Sequence, residues 1–162
     1  MSSVERREAE AALRWTSRSE EETVEMGRRI GSVLQAGDVV ALIGTLGSGK
    51  TRLTKGIVSG LGMNRTDSVT SPTFVYLKVH RGRLPIYHLD AYRLSGEDEF
   101  FQLGGWEMLG EDGVSVIEWA ERIAAALPAD RIEVSIDISG PDSRELRLLG
   151  YGSGAVRIEA VA

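Results

Sequence analysis

The apolar positions along the chain change period several times, and each change marks an element. Residues 1–10 are charged and aperiodic, and residues 12–16 alternate as a short strand would. From Ser19 the period becomes helical, with Met26, Ile30, Val33 and Leu34 on one face. Ser19 followed by Glu20, Glu21 and Glu22 predicts a capping box with an acidic first turn, and the helix is expected to stop near Gly37. Val39-Val40-Ala41-Leu42-Ile43 is then a continuous apolar run, as expected of a strand buried on both faces. After Lys50 the helical spacing returns through Leu53, Ile57 and Leu61, and Gly60-Leu61-Gly62 closes that helix.

The second half is richer in strands. Residues 74–90 predict two of them, with Val75, Leu77 and Val79 on one face and a hairpin turn at Arg81-Gly82. Pro85 pushes the return strand toward an edge or a bulge. Residues 95–113, acidic and interrupted by glycine, predict a short helix followed by irregular structure. Val114-Ser115-Val116-Ile117-Glu118 is a second apolar strand, and residues 121–127 read as a helix closed by Pro128. Ile132, Val134, Ile136 and Ile138 alternate with polar residues as in a half-buried strand. Residues 145–149 and 156–161 are expected as further antiparallel strands. The sum is an α/β fold: one domain on a mixed sheet with helices on both faces and antiparallel C-terminal strands. Residues 1–18 form an N-terminal arm with its short strand, and residues 19–162 form the domain.

Composition adds limits. A chain of 162 residues, 42% hydrophobic and 27% charged, is an ordinary globular protein with room for a core. A net charge of −5 argues against a broad nucleic-acid footprint. There is no cysteine, hence no disulfide or thiolate metal site. No apolar run approaches a membrane span and Met1-Ser2-Ser3-Val4-Glu5-Arg6 does not start a signal peptide, so the cytoplasm is the expected location.

The chemistry is concentrated between the first apolar strand and the helix that follows it. Gly44-Thr45-Leu46-Gly47-Ser48-Gly49-Lys50-Thr51 matches G-x-x-x-x-G-K-[ST] in the strand–loop–helix setting that the motif requires. Glycines let the loop curl with its N–H groups inward, and the helix start adds unpaired amides and partial positive charge. That concavity suits the phosphates of a nucleoside triphosphate, with Lys50 reaching the β- and γ-phosphates and the Thr51 hydroxyl holding Mg²⁺. A plain glycine turn would need neither the third glycine nor the Lys-Thr pair. Gly44, Leu46, Gly47, Ser48, Gly49, Lys50, Thr51 and Arg52 are the candidate nucleotide contacts.

Two strands are expected to end on carboxylates, Asp90 and Glu118. In open α/β sheets ligands gather outside the carboxyl ends of strands. Asp90 is a candidate for holding Mg²⁺ through water or for orienting an attacking water, and Glu118 for the metal side. His88 shares the face of Asp90, although on residues alone a satisfied structural histidine is the better reading. Arg93 either pairs with an acid or neutralises phosphate charge. Ser71-Pro72-Thr73 is a stiff hydroxyl-rich stretch, either a capped turn or a switch near the γ-phosphate.

Taken together, Gly44 to Thr51 of the loop, Ser71-Pro72-Thr73, His88-Leu89-Asp90-Ala91-Tyr92-Arg93 and Glu118-Trp119 resemble the TsaE (YjeE) family, over residues 20–137 or so. The resemblance implies a P-loop NTPase-like α/β fold and weak ATP hydrolysis that depends on partners, in the threonylcarbamoyladenosine (t6A) modification of tRNA. The implied partners are the TsaD and TsaB proteins, with tRNA involved only indirectly, and the implied cofactors are ATP and Mg²⁺. By position it implies Lys50, Asp90 and Glu118 as catalytic, Thr51 and Glu118 as metal-side residues, Thr73 in a switch loop, and Trp119 close to the nucleotide. Where this chain has Thr45 the family often has an acidic residue. The competing reading is a small-molecule or nucleotide kinase, which would need an acceptor pocket and usually an arginine-bearing lid. A regulatory GTPase ranks lower, because no N-K-x-D sequence is present.

Overall fold

The computed structural model describes residues 8–63, 69 and 77–162. Expectations for Ser71-Pro72-Thr73 and Val75 lie outside the described residues. The elements run β1 (Ala11–Ser17), α1 (Glu20–Val33), β2 (Val39–Gly44), α2 (Lys50–Gly60), β3 (Leu77–Arg81), β4 (Pro85–Asp90), α3 (Glu97–Gln102), β5 (Val114–Glu118), β6 (Arg131–Ile138), β7 (Arg144–Tyr151) and α4 (Ser153–Val161). Two 3-10 segments, Gly105–Met108 and Ala120–Ala126, flank β5 in sequence.

A seven-stranded mixed sheet in the order β1-β7-β6-β2-β5-β4-β3 is the frame. β6, β2, β5 and β4 run parallel, while β7, β1 and β3 are antiparallel to their neighbours. The apolar run of β2 and the fully buried, mostly apolar β5 occupy the centre because both of their faces are covered. On one face Val40, Leu42, Val116 and Val134 pack under Ile30 of α1 and its C-cap Leu34, Leu53 and Ile57 of α2, and Ile158 of α4. On the other, Ala41, Leu89 and Ile117 meet Phe100, Leu109 and Ile123.

Ser19 caps α1 as its sequence suggests, its Oγ accepting from the Glu22 N–H at 3.1 Å. The contact between α1 and α2 depends on glycine at two positions on each helix. A Cβ on Gly27 would lie 2.3 Å from the Leu53 carbonyl oxygen, and one on Gly56 would lie 2.0 Å from that of Val24. Gly31 and Gly60 repeat the arrangement one turn along, against Ile57 and Arg28. Backbone therefore touches backbone, and no side chain fits between the helices.

Four sequence expectations change. Residues 156–161 are helical, not a strand. Gly152, at φ +59, turns the chain out of β7, and Ala155, Ile158 and Val161 then bury one helical face; a short apolar run does not distinguish the two periods. The segment expected as an α-helix at residues 121–127 is 3-10 with a kink at Ile123, so it covers the sheet only briefly. Pro85 does not put β4 at an edge. β4 lies between β3 and β5, which is tolerated because Pro85 is the strand's first residue. On the edge strand β3, Val79 is 49% exposed, and the alternate face buries His80.

The α1–α2 contact predicts the sign of a substitution. Helix propensity alone would make Gly56→Ala stabilising by about 1 kcal/mol. The crossing makes it destabilising by roughly 1–3 kcal/mol, as overpacking does. Urea unfolding of the variant distinguishes the two, and a stabilised G56A would show that the helices are not in contact there.

Candidate functional site

The loop leaves β2 at Gly44, where a Cβ would strike the Ile136 carbonyl oxygen and the Ser48 Oγ at 2.7 and 2.6 Å. Gly47 and Gly49 adopt φ of +77 and +111, the left-handed region that glycine enters without strain. A side chain at Gly47 would meet nothing within 4 Å, so its glycine serves the backbone turn and leaves space open. Ser48 N–H closes a turn onto the Thr45 carbonyl at 3.1 Å. The Ser48 hydroxyl is buried without a hydrogen-bond partner among the described residues. Leu46 stands at the loop tip, 80% exposed.

Lys50 opens α2 and folds back over the loop. Its ammonium donates to the carbonyl oxygens of Gly44 and Thr45, and it lies 3.8 Å from the centroid of the Trp119 ring. Burial lowers its pKa from the ordinary lysine value, while Glu121, Glu118 and Asp90 pull it back up. Trp119 has φ +58, the only positive φ on a non-glycine residue among those described. Such a conformation is strained. It follows directly on Glu118, turns the chain sharply off β5, and sets the indole against Tyr92 at a tilt of 49°, with 4.8 Å between ring centroids.

The strand-end acids meet because β4 and β5 are parallel and in register. Asp90 is paired with Glu118, and Leu42 of β2 is paired with Glu118 on its other side. Glu118 is 1% exposed. Its Oε1 accepts from the Thr51 hydroxyl at 3.2 Å, and its Oε2 bonds to Nε2 of His88, which is fully buried. Asp90 Oδ1 accepts from the Tyr92 N–H at 2.9 Å. Burial pushes the Asp90 carboxyl above its ordinary pKa, with the Tyr92 N–H and the nearby Lys50 and His88 working against that shift.

Around these groups lies a cleft of about 320 Å³, walled by the loop, by Glu118 and Trp119, and by Ser19, Glu20 and Thr23 of the α1 start. Thr51 and Arg52 line it as expected, Arg52 also pairing with Glu20 at 3.4 Å. Asp90 stands one strand beyond Glu118 and does not wall the cleft among the described residues. Thr73 falls outside the described residues.

Sequence reading missed Arg144, at the start of β7. Its guanidinium donates through Nε to the Ser48 carbonyl at 2.9 Å and through a terminal nitrogen to that of Gly47 at 3.3 Å. The other terminal nitrogen holds the carbonyls of Gly140 and Ser143. One arginine thus ties the loop to the β6–β7 turn, and it lines the cleft together with Pro141 and Asp142 of that turn. Only the β6–β7 register brings Arg144 there, so no local signal announced it.

A sequence model of the family described as "Threonylcarbamoyl adenosine biosynthesis protein TsaE" matches residues 17–146. The chain belongs to the TsaE family. A Treponema pallidum relative named tRNA threonylcarbamoyladenosine biosynthesis protein TsaE is 42% identical, over 83% of this chain and 98% of its own. A Bacillus subtilis protein of the same name is 40% identical over 87% of each. The crystal structure of Bacillus subtilis YdiB superposes with a TM-score of 0.75 at 36% identity, covering 93% of both chains. TsaE membership and this superposition agree with the P-loop NTPase-like fold expected from the sequence. No helix among the described residues is long and apolar enough to cross a membrane.

For this TsaE-family chain, Arg144→Ala is expected to speed amide exchange at residues 47–50 by about tenfold or more, since those donors to loop carbonyls are lost. R144K, keeping one donor, should fall between; unchanged exchange would show that Arg144 does not brace the loop. A second outcome concerns pH. Burial, then His88, then Lys78 push the His80 pKa down to about 4. The unfolded chain therefore binds a proton that the folded one refuses between about pH 6.5 and that value, and in this window stability rises with pH. As pH falls through the window, urea midpoints should decline more steeply for wild type than for His80→Leu. Parallel declines would refute the assignment.

Proposed function

We propose that this chain is a Mg²⁺-dependent ATPase that supports t6A modification of tRNA by binding and resetting a TsaD–TsaB complex. The observation that carries the reading is the convergence of the Lys50 ammonium, the Thr51 hydroxyl and the Glu118 carboxylate beside a glycine loop at the carboxyl edge of the sheet. The donor set suits a triphosphate. It comprises a lysine, loop amides, a helix start and the unpartnered Ser48 hydroxyl.

The residues also suit Mg²⁺. That ion prefers one or two protein oxygens, with phosphate and water completing its shell. Among the described residues no group of three or more His, Asp or Glu side chains could hold a metal unaided, whereas Thr51 and Glu118 offer two oxygens side by side. Mg²⁺, when bound, neutralises charge developing on phosphate oxygens.

In this reading Lys50 leaves its loop carbonyls and Trp119 to bind the β- and γ-phosphates. Gly44, Leu46, Gly47, Ser48, Gly49 and Arg52 complete the nucleotide contacts. Asp90 orients the attacking water, and its raised pKa makes it a better proton acceptor than an exposed carboxylate. Trp119 packs close to the nucleotide and Thr73 belongs to a switch loop. ATP binding shapes a docking surface, and hydrolysis resets the partner proteins between turnovers. A net charge of −5 suits contact with proteins more than with tRNA.

The test is ATP hydrolysis by the purified chain, alone and with TsaD and TsaB. Partners should stimulate the rate, and Lys50→Ala should abolish that stimulation. Asp90→Asn should lower kcat by about 10²-fold or more with nucleotide binding retained. A K50A or D90A variant that still supports multiple turnovers of a reconstituted modification reaction would refute the proposal. ATP consumed in proportion to a phosphorylated small molecule would instead identify a kinase.

A further inference from the structure

Two buried imidazoles are left unused by the roles above. His80 on β3 and His88 on β4 lie on the same face of an antiparallel pair, in which His80 is opposite Ile86 and Lys78 is opposite His88. They are therefore diagonal neighbours, a relation that ring side chains can bridge. Their ring centroids are 5.6 Å apart, and His80 Nε2 lies 3.4 Å from His88 Nδ1. On its far side His88 Nε2 bonds to Glu118 Oε2, and Glu118 Oε1 takes the Thr51 hydroxyl. A continuous polar row, His80–His88–Glu118–Thr51, thus runs through the interior from the edge strand to the start of α2.

Chemistry orders the protons in this row. An ionised carboxylate only accepts, so His88 Nε2 carries the hydrogen that Glu118 receives. If that is the only ring hydrogen of His88, its Nδ1 lone pair faces His80 and takes the His80 Nε2–H. Burial and the neighbouring ring keep His80 neutral near neutral pH, its pKa standing at about 4. In that state each imidazole has one tautomer that satisfies its neighbours.

We propose that His88 and His80 are positioning residues that fix the rotation of the Glu118 carboxylate, so that it and Thr51 together present their oxygens to Mg²⁺. This rests on the metal reading given under Proposed function. Partners of this kind tune metal affinity by orienting the ligand, and their loss commonly weakens binding about 10–100-fold. A pair that merely filled the core would affect stability without affecting the metal dependence.

The experiment is a Mg²⁺ titration of ADP and non-hydrolysable ATP-analogue binding, followed by calorimetry, for wild type, His88→Leu, His88→Gln and His80→Leu. H88L should raise the half-saturating Mg²⁺ concentration about 10–100-fold and H80L several-fold, with nucleotide affinity in the absence of Mg²⁺ unchanged. H88Q places an amide donor near the Nε2 position and should restore most of the Mg²⁺ response. Folded H80L and H88Q chains with the wild-type response and the H88L deficit, respectively, would overturn the proposal while leaving the ATPase reading intact. A wild-type chain whose nucleotide affinity ignores Mg²⁺ would overturn both. Should H88L fail to fold, nitrogen-15 NMR of the wild-type imidazoles decides independently of nucleotide. A hydrogen on His88 Nε2 supports the row, and a bare His88 Nε2 with its hydrogen on Nδ1 alone refutes it.

Discussion

The parallel pairing of β4, β5 and β2 is the constraint on which the site depends. It places Asp90 level with Glu118 and sets Glu118 beside Leu42, two residues before the loop begins at Gly44. Because strand side chains alternate, a slip of one residue in either pairing would send the carboxylates to the opposite face. The register is secured by apolar packing on both sides of the sheet, where Leu42 and Val116 face one core and Ala41 and Ile117 face the other. Polar groups at the edge are thus located by hydrophobic contacts some distance away.

Charge around the loop is balanced from two directions. Inside, one buried ammonium faces the buried Asp90 and Glu118 carboxylates in surroundings that disfavour ions of either sign, which is why burial shifts Lys50 down and Asp90 up. From the β6–β7 side of the cleft, Arg144 engages the carbonyls of Gly47 and Ser48. Its positive charge bears on backbone dipoles through hydrogen bonds, and so acts on loop shape.

Much of this was legible in the sequence, for reasons that differ by element. The loop and both strand-end acids were readable because spacing and a terminal carboxylate are local properties. Residues 156–161 were misread because five or six apolar-rich residues satisfy either period, and only Gly152 at positive φ and the packing of Ala155 decide between them. His80 was not legible, because its relation to His88 rests on the β3–β4 register, which sets the two histidines diagonally on one face. Arg144 and the glycine contacts between α1 and α2 depend on which distant segments meet, information that no single stretch contains.

The glycine contacts have a mechanical meaning. With Gly27 and Gly31 laid directly on Gly56 and Gly60, α1 and α2 have no layer of rotatable side chains between them to absorb displacement. The two helices behave as one beam. Thr51 stands at one end of that beam, and Ser19, the cap joining α1 to β1, is at the same end of the other helix. A displacement of α2 at the loop thus meets the backbone of α1 directly, with no side chains between the two helices to take it up.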